Sequence, residues 1–192
     1  MDRLTGIFWF IICVLGGASV FYGVNAEAQR RSVQQAEGKL DSGDVVSLVK
    51  AIDGDTILVN KTGQGNTTIR ILGIKSFDAK IERDLAAGYA QAAVDELGKL
   101  LGDRPLRVLL NATPKDKYGR TIATLFADDQ DVGLSLINRG LVLTYPVYPF
   151  PSLPIYQREQ DAARKAGRGM WANTEVAARA DAMAHAWRKE AP

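Results

Sequence analysis

Ile52-Asp53-Gly54-Asp55-Thr56, Ile69-Arg70-Ile71-Leu72-Gly73-Ile74 and Asp116-Lys117-Tyr118-Gly119-Arg120, in that order, decide how this chain of 192 residues folds. The Asp53-Gly54 pair is a turn signal between two short apolar runs, Val45–Val49 and Thr56–Val59, and predicts a hairpin. Gly63-Gln64-Gly65-Asn66 is a second turn, and Thr67–Ile74 returns as a third strand with one arginine in its apolar pattern. Leu85, Tyr89, Ala92, Ala93, Leu97, Leu100 and Leu101 recur at helical spacing, so 85–101 reads as a helix that Gly102 ends. Two more strands follow, Leu106–Asn111 and Thr121–Ala127. A short helix, Val132–Asn138, stops at Arg139-Gly140. Tyr145–Pro154 carries four prolines and reads as a stiffened loop. Ile155–Ala166 is the last domain helix, closed by Gly167–Trp171. Five short strands interrupted by a helix predict an α+β, mainly β fold: a five-stranded Greek-key barrel of the OB type with three helices.

The three blocks together resemble the staphylococcal nuclease (thermonuclease-like) family, over roughly Asp44 to Trp171. The resemblance implies hydrolysis of DNA and RNA phosphodiester bonds with one calcium ion and two arginines. Arg70 and Arg120 match the two arginines, which would clamp the phosphoryl group because a guanidinium donates in a planar fork and stays charged. The plain alternative is an exterior strand arginine at 70 and a turn arginine at 120. Asp55 matches the first calcium carboxylate and Asp53 a supporting acid, although an acid in an Asp-Gly turn commonly serves the turn itself. Lys117 and Tyr118 match positions that meet the nucleotide. Tyr145 and Tyr148 fall in the substrate loop, where ordinary packing explains them equally well.

One stretch departs from the family pattern. Where the family reads Gly-Ile-Asp-x-Pro-Glu, this chain reads Gly73-Ile74-Lys75-Ser76-Phe77-Asp78. Lys75 thus stands at the second calcium carboxylate, and Asp78 replaces the glutamate that prepares the water. A hard cation needs six or more oxygen ligands. At about 4 Å, two unit charges repel by about 4 kcal/mol at an effective dielectric of about 20, so the ammonium is expected to displace the ion and pair with Asp55. Three readings stay open. In the first, the site is eroded and the barrel binds nucleic acid or a protein. In the second, the chain is a calcium-dependent nuclease with Asp78 as base. In the third, Lys75 replaces the metal and no cofactor is used.

Composition narrows the chemistry. Lys+Arg 24 against Asp+Glu 22 permits a local basic groove without announcing one. The one cysteine, Cys13, lies in the N-terminal apolar run and the one histidine, His185, near the C-terminus. The barrel therefore has no disulfide, no thiolate zinc site and no histidine base. Ile7–Val24 carries no charge over about 18 residues, at the lower edge of what spans a bilayer. It predicts a membrane anchor in residues 1–26, with the domain outside a bacterial-type inner membrane, or secretion if the chain is cleaved near Ala26. Residues 27–43 read as a polar stalk, 44–172 as the barrel domain and 173–192 as a helical tail. Val176, Ala180, Met183 and Trp187 form one apolar stripe on that tail, which suits the barrel or a protein partner.

Overall fold

The computed structural model describes residues 38–79 and 81–190. The expected anchor, its cleavage position and residues 27–37 of the expected stalk lie outside the described residues. Among the described residues, no helix is long and apolar enough to cross a membrane.

Strands β1 (Val45–Asp53), β2 (Thr56–Lys61) and β3 (Gly65–Ile71) form an antiparallel meander, and β5 (Leu106–Lys115) with β6 (Thr121–Ala127) form a second antiparallel pair. Short strands β4 (Ile74–Lys75) and β8 (Leu143–Thr144) pair apart from them, and β7 (Gln130–Asp131) extends β6. Two further pairings close the barrel. β1 meets β5 at Val45–Arg107 and Val46–Leu106, and β3 runs parallel to β6 from Ile69–Thr121 to Ile71–Ala123. The five long strands thus close in the order β1-β2-β3-β6-β5, the OB-type arrangement. Inward positions alternate along the strands: Ile57, Val59, Ile69, Val108 and Leu125 are fully buried.

Helix α1 (Leu85–Leu101) begins at Asp84, whose carboxylate accepts the Ala86 N–H, and ends at Gly102 with φ of 42°. Its buried face is Ala86, Ala90, Ala93, Leu97 and Leu101, while Leu85 is exposed. The face therefore starts at Ala86 rather than at the expected Leu85, with Ala86 and Ala90 packed in a cluster with Phe77 and Ala93 beside Gly54 of the β1–β2 turn. Helix α2 (Val132–Asn138) is capped by Asp131. Helix α3 (Leu153–Lys165) starts two residues before Ile155, since Pro154 falls in its first turn, where no N–H is needed.

Two segments attach outside the barrel. Gly38–Gly43, read from composition as the end of a stalk, lies against the sheet: Gly38 accepts from Thr67 Oγ1 at 2.8 Å, and Leu40 is buried. Helix α4 (Thr174–Glu190) turns its stripe onto the domain itself. Val176 and Ala180 are buried in a second apolar cluster with Phe77, Ala86, Ala90, Leu143, Ala163, Met170 and Trp171, and half-buried Met183 and Trp187 pack against it. Of the two expectations for the stripe, the barrel domain and a protein partner, the domain is what it packs on.

Candidate nucleic-acid site

The β1–β2 turn delivers Asp55 into the interior. Asp53 Oδ1 accepts the Asp55 N–H at 2.9 Å, an Asx-type turn. Gly54 is required there by space, since a Cβ would lie 2.6 Å from Ala93 Cβ and 2.7 Å from Ser76 Cβ. Asp55 is completely buried. Its Oδ1 accepts from Thr56 Oγ1 at 2.9 Å and lies 3.3 Å from Arg70 Nη1. Its Oδ2 accepts the Ser76 N–H at 3.0 Å and lies 3.2 Å from Lys75 Nζ. Burial alone would raise the Asp55 pKa, but the Arg70 and Lys75 cations and the Ser76 N–H outweigh it and hold the carboxyl at about 2. Burial and the neighbouring Asp55 charge push Asp53 the other way.

Arg70 stands opposite Thr56 on one side and Ile122 on the other. Pairing on both edges encloses it, and it is a buried residue rather than an exterior strand arginine. Its guanidinium is spent largely on backbone. Nη1 donates to Asp55 O at 3.3 Å and Ile71 O at 3.0 Å, and Nη2 donates to Ile74 O at 2.6 Å. It therefore staples the β3–β4 turn, and the remaining face of its guanidinium lies 5.7 Å from the centre of the Tyr145 ring.

Arg120 is held by a different acid. Asp116 is nearly buried at the head of the β5–β6 turn, and its Oδ1 accepts the backbone N–H of Tyr118 and of Arg120, both at 2.9 Å. Its Oδ2 accepts Arg120 Nε at 2.7 Å, and Gly119, with φ of 83°, lets the chain reverse. Arg120 Nη1 donates to Thr56 Oγ1 at 3.1 Å, and that hydroxyl donates onward to Asp55. Arg70, Lys75 and Arg120 are thus joined through Asp55. Exposed Tyr118 lies under both Lys117, at 5.1 Å, and Arg120, at 5.5 Å. Asp116, Thr56 and Ser76 were not assigned roles by sequence reasoning. The turn spacing Asp-x-x-Gly is the signal that would have found Asp116.

The remaining expected residues fall on two sides. Asp78 is half-buried and lines a cleft of about 330 Å³ with Asp53, Gly54, Phe77, Ala90 and Gln91; neither arginine is in its walls. Tyr145 follows β8, donates its N–H to Gly73 O at 2.8 Å, and meets Tyr148 at 6.0 Å between ring centres. Its phenol is pushed up by burial, with Tyr148 adding to the shift against Arg70. Among the described residues, no group of three or more His, Cys, Asp or Glu side chains is placed to hold a metal ion.

Residues 68–173 match the family described as Staphylococcal nuclease homologue. The chain is 30% identical over 125 residues to a protein named Thermonuclease from Staphylococcus intermedius, which covers 64% of this chain and 74% of that one. It is 28% identical over 126 residues to a Haemophilus influenzae protein named Uncharacterized endonuclease, covering 66% of this chain and 65% of the relative. The SPbeta prophage-derived endonuclease YokF of Bacillus subtilis is 27% identical over 129 residues, 66% of this chain and 43% of its own length. The family match starts within β3, takes in both arginines, Lys75 and the tyrosines after β8, and stops one residue before α4. It spans more than half of a chain whose barrel closes in the OB order, and on that ground the chain belongs to the staphylococcal nuclease family.

Proposed function

We propose that this nuclease-family domain binds nucleic acid on the face carrying Lys117, Tyr118, Arg120, Tyr145 and Tyr148, and that calcium-dependent cleavage is lost or strongly reduced. The ion pair between Lys75 Nζ and Asp55 Oδ2, at 3.2 Å, carries this reading. A calcium ion needs several anionic oxygens around one point. Here one buried carboxylate faces that point, its oxygens are engaged by Thr56, Ser76, Arg70 and Lys75, and an ammonium occupies the position of the second acid. This donor set does not fit the ion. Arg70 adds to the argument, because donors committed to three carbonyls have little left for a phosphate. Arg120 retains an exposed edge beside Tyr118 and Lys117, where cations and an aromatic face together suit a strand of nucleic acid.

The test uses the full-length chain in detergent, with single-stranded DNA, in calcium and in chelator. The expected result is binding in both, no cleavage in either, and binding weakened by tenfold or more in Arg120→Ala. A Lys75→Asp, Asp78→Glu double variant is expected to gain cleavage that chelator abolishes. Calcium-dependent cleavage by the native chain would overturn the proposal. A second reading rests on Lys75 itself, whose side chain is about one-third exposed (36%) and so is open to an incoming phosphate. In that reading Lys75 neutralises the phosphate, Asp78 acts as base, and cleavage persists in chelator.

In the same proposal the domain is tethered by Ile7–Val24 and faces away from the cytoplasm. The uncharged apolar run in the sequence supports this. Retention of the chain in alkali-washed membranes is the check, and release into the soluble fraction would sink it.

A further inference from the structure

The family match ends at residue 173, yet α4 continues for four more turns and returns to the candidate site. Its Trp187 meets Tyr145 edge to face, with ring centres 5.1 Å apart and planes at 84°, and Tyr145 in turn meets Tyr148. The three rings form one continuous aromatic surface. One of its members, Tyr145, lies over Arg70, and the charges of Lys117 and Glu190 reach the same phenol. Along the α4 stripe burial decreases toward the C-terminus: Val176 and Ala180 are buried, while Met183 and Trp187 are half-buried. Trp187, the largest side chain of the stripe, thus stands where the stripe is half-buried rather than sealed. Arg188 and Lys189 follow on exposed surface; cations in a last helical turn also complement the helix dipole, so Trp187 carries the argument.

We propose that Trp187 is a base-stacking residue, extending the Tyr145–Tyr148 surface onto α4 so that an unpaired segment of nucleic acid spans both. Unpaired bases suit this role because every base offers a π-face, whereas a duplex keeps its faces stacked internally. The inference rests on the nucleic-acid reading above.

The test is equilibrium anisotropy of a labelled single-stranded 12-mer and of the matching duplex, with the full-length chain in chelator. Trp187→Leu keeps apolar bulk against the second cluster but removes the π-face, and Trp187→Phe restores a smaller one. The expected result is single-strand binding weakened by about fivefold or more in Trp187→Leu, partial recovery in Trp187→Phe, and a smaller change for duplex. Native-like binding by Trp187→Leu, equal loss in both variants, or tighter binding would overturn the assignment. If Arg120→Ala weakens binding while Trp187→Leu does not, only Trp187 is misassigned. If the native chain binds neither probe, the nucleic-acid reading falls, and this inference with it.

Discussion

Replacing Lys75 by methionine keeps the length and apolar stem of the side chain but removes the cation beside Asp55. At 3.2 Å the direct attraction is about 5 kcal/mol at an effective dielectric of about 20, and about 1 kcal/mol in bulk water. Three effects reduce the upper figure. Lys75 is about one-third exposed, so it retains much of its hydration; its side chain is ordered at an entropic cost; and Arg70 stays 3.3 Å from the other oxygen. A net loss of about 1–2 kcal/mol at pH 7 is expected. Its pH dependence is the sharper test. Asp55 has a folded pKa near 2, below the ordinary carboxylate value of 3.8. A depressed carboxylate contributes stability that is present above its unfolded pKa and lost as pH falls through its folded pKa. The Lys75 share of that stability exists only while Asp55 is charged. Urea unfolding of native chain and variant at pH 7, 5 and 3 should therefore show a difference that is full at pH 7, is retained at pH 5 and shrinks at pH 3. A constant difference across the series, or none at pH 7, would refute the assignment of Lys75 as a counter-ion of Asp55.

Asp116→Ala removes the acceptor of two backbone N–H groups and of Arg120 Nε. It should cost about 2–3 kcal/mol in thermal unfolding and reduce nucleic-acid binding as far as Arg120→Ala does; a loss of stability with intact binding would separate the two residues. Tyr156→Phe deletes the hydroxyl that donates to both oxygens of Asp131, at 2.8 and 2.9 Å. Burial has already raised the Asp131 pKa, with the Leu134 N–H and Tyr156 opposing it, so its charged form is the disfavoured one. Stability associated with Asp131 is therefore lost as pH rises through its folded pKa, and losing a donor deepens that loss. The expected cost of about 1–2 kcal/mol should be larger at pH 7 than at pH 3, read by urea unfolding. Phe77→Ala empties a side chain that is only 2% exposed and should cost about 3–4 kcal/mol. It should also raise amide exchange in α4; unchanged exchange there would mean that α4 docks without Phe77.

The barrel was legible because its signals are local. The Asp53-Gly54 turn, the period of α1 and the Arg139-Gly140 stop each involve only residues close in sequence, and Leu85–Leu101, Thr121–Ala127 and Val132–Asn138 form with the expected bounds. The Lys75–Asp55 pair was legible too, but through the resemblance, which puts Lys75 at the position of the second carboxylate beside Asp55. What escaped depends on distant partners. An arginine flanked by isoleucines reads as the outward residue of a half-buried strand; only the parallel pairing with β6, more than fifty residues later, encloses Arg70 and turns its donors onto backbone. The docking of α4 is of the same kind, because nothing near Phe77 announces a helix nearly a hundred residues away.

That docking changes how the departure at 73–78 is understood. Counted as a motif, Lys75, Phe77 and Asp78 are three mismatches of equal standing. In the fold they do different work. Lys75 neutralises a buried carboxylate, Phe77 is the floor on which α4 rests, with Arg179 lying 5.5 Å over its ring, and Asp78 lines the cleft shared with Asp53. Arg179 also pairs with Glu82, at 2.5 Å, and Asp84, at 3.0 Å, so α4 is fastened to Phe77, Glu82 and Asp84 ahead of α1. A proline at 77 would remove the side chain that α4 covers. Under the proposed reading, regaining calcium-dependent cleavage takes changes at 75 and 78 but not at 77. Adding Phe77→Pro to the Lys75→Asp, Asp78→Glu variant should reduce any recovered cleavage, because it removes the docked side chain that lies between the two restored acids.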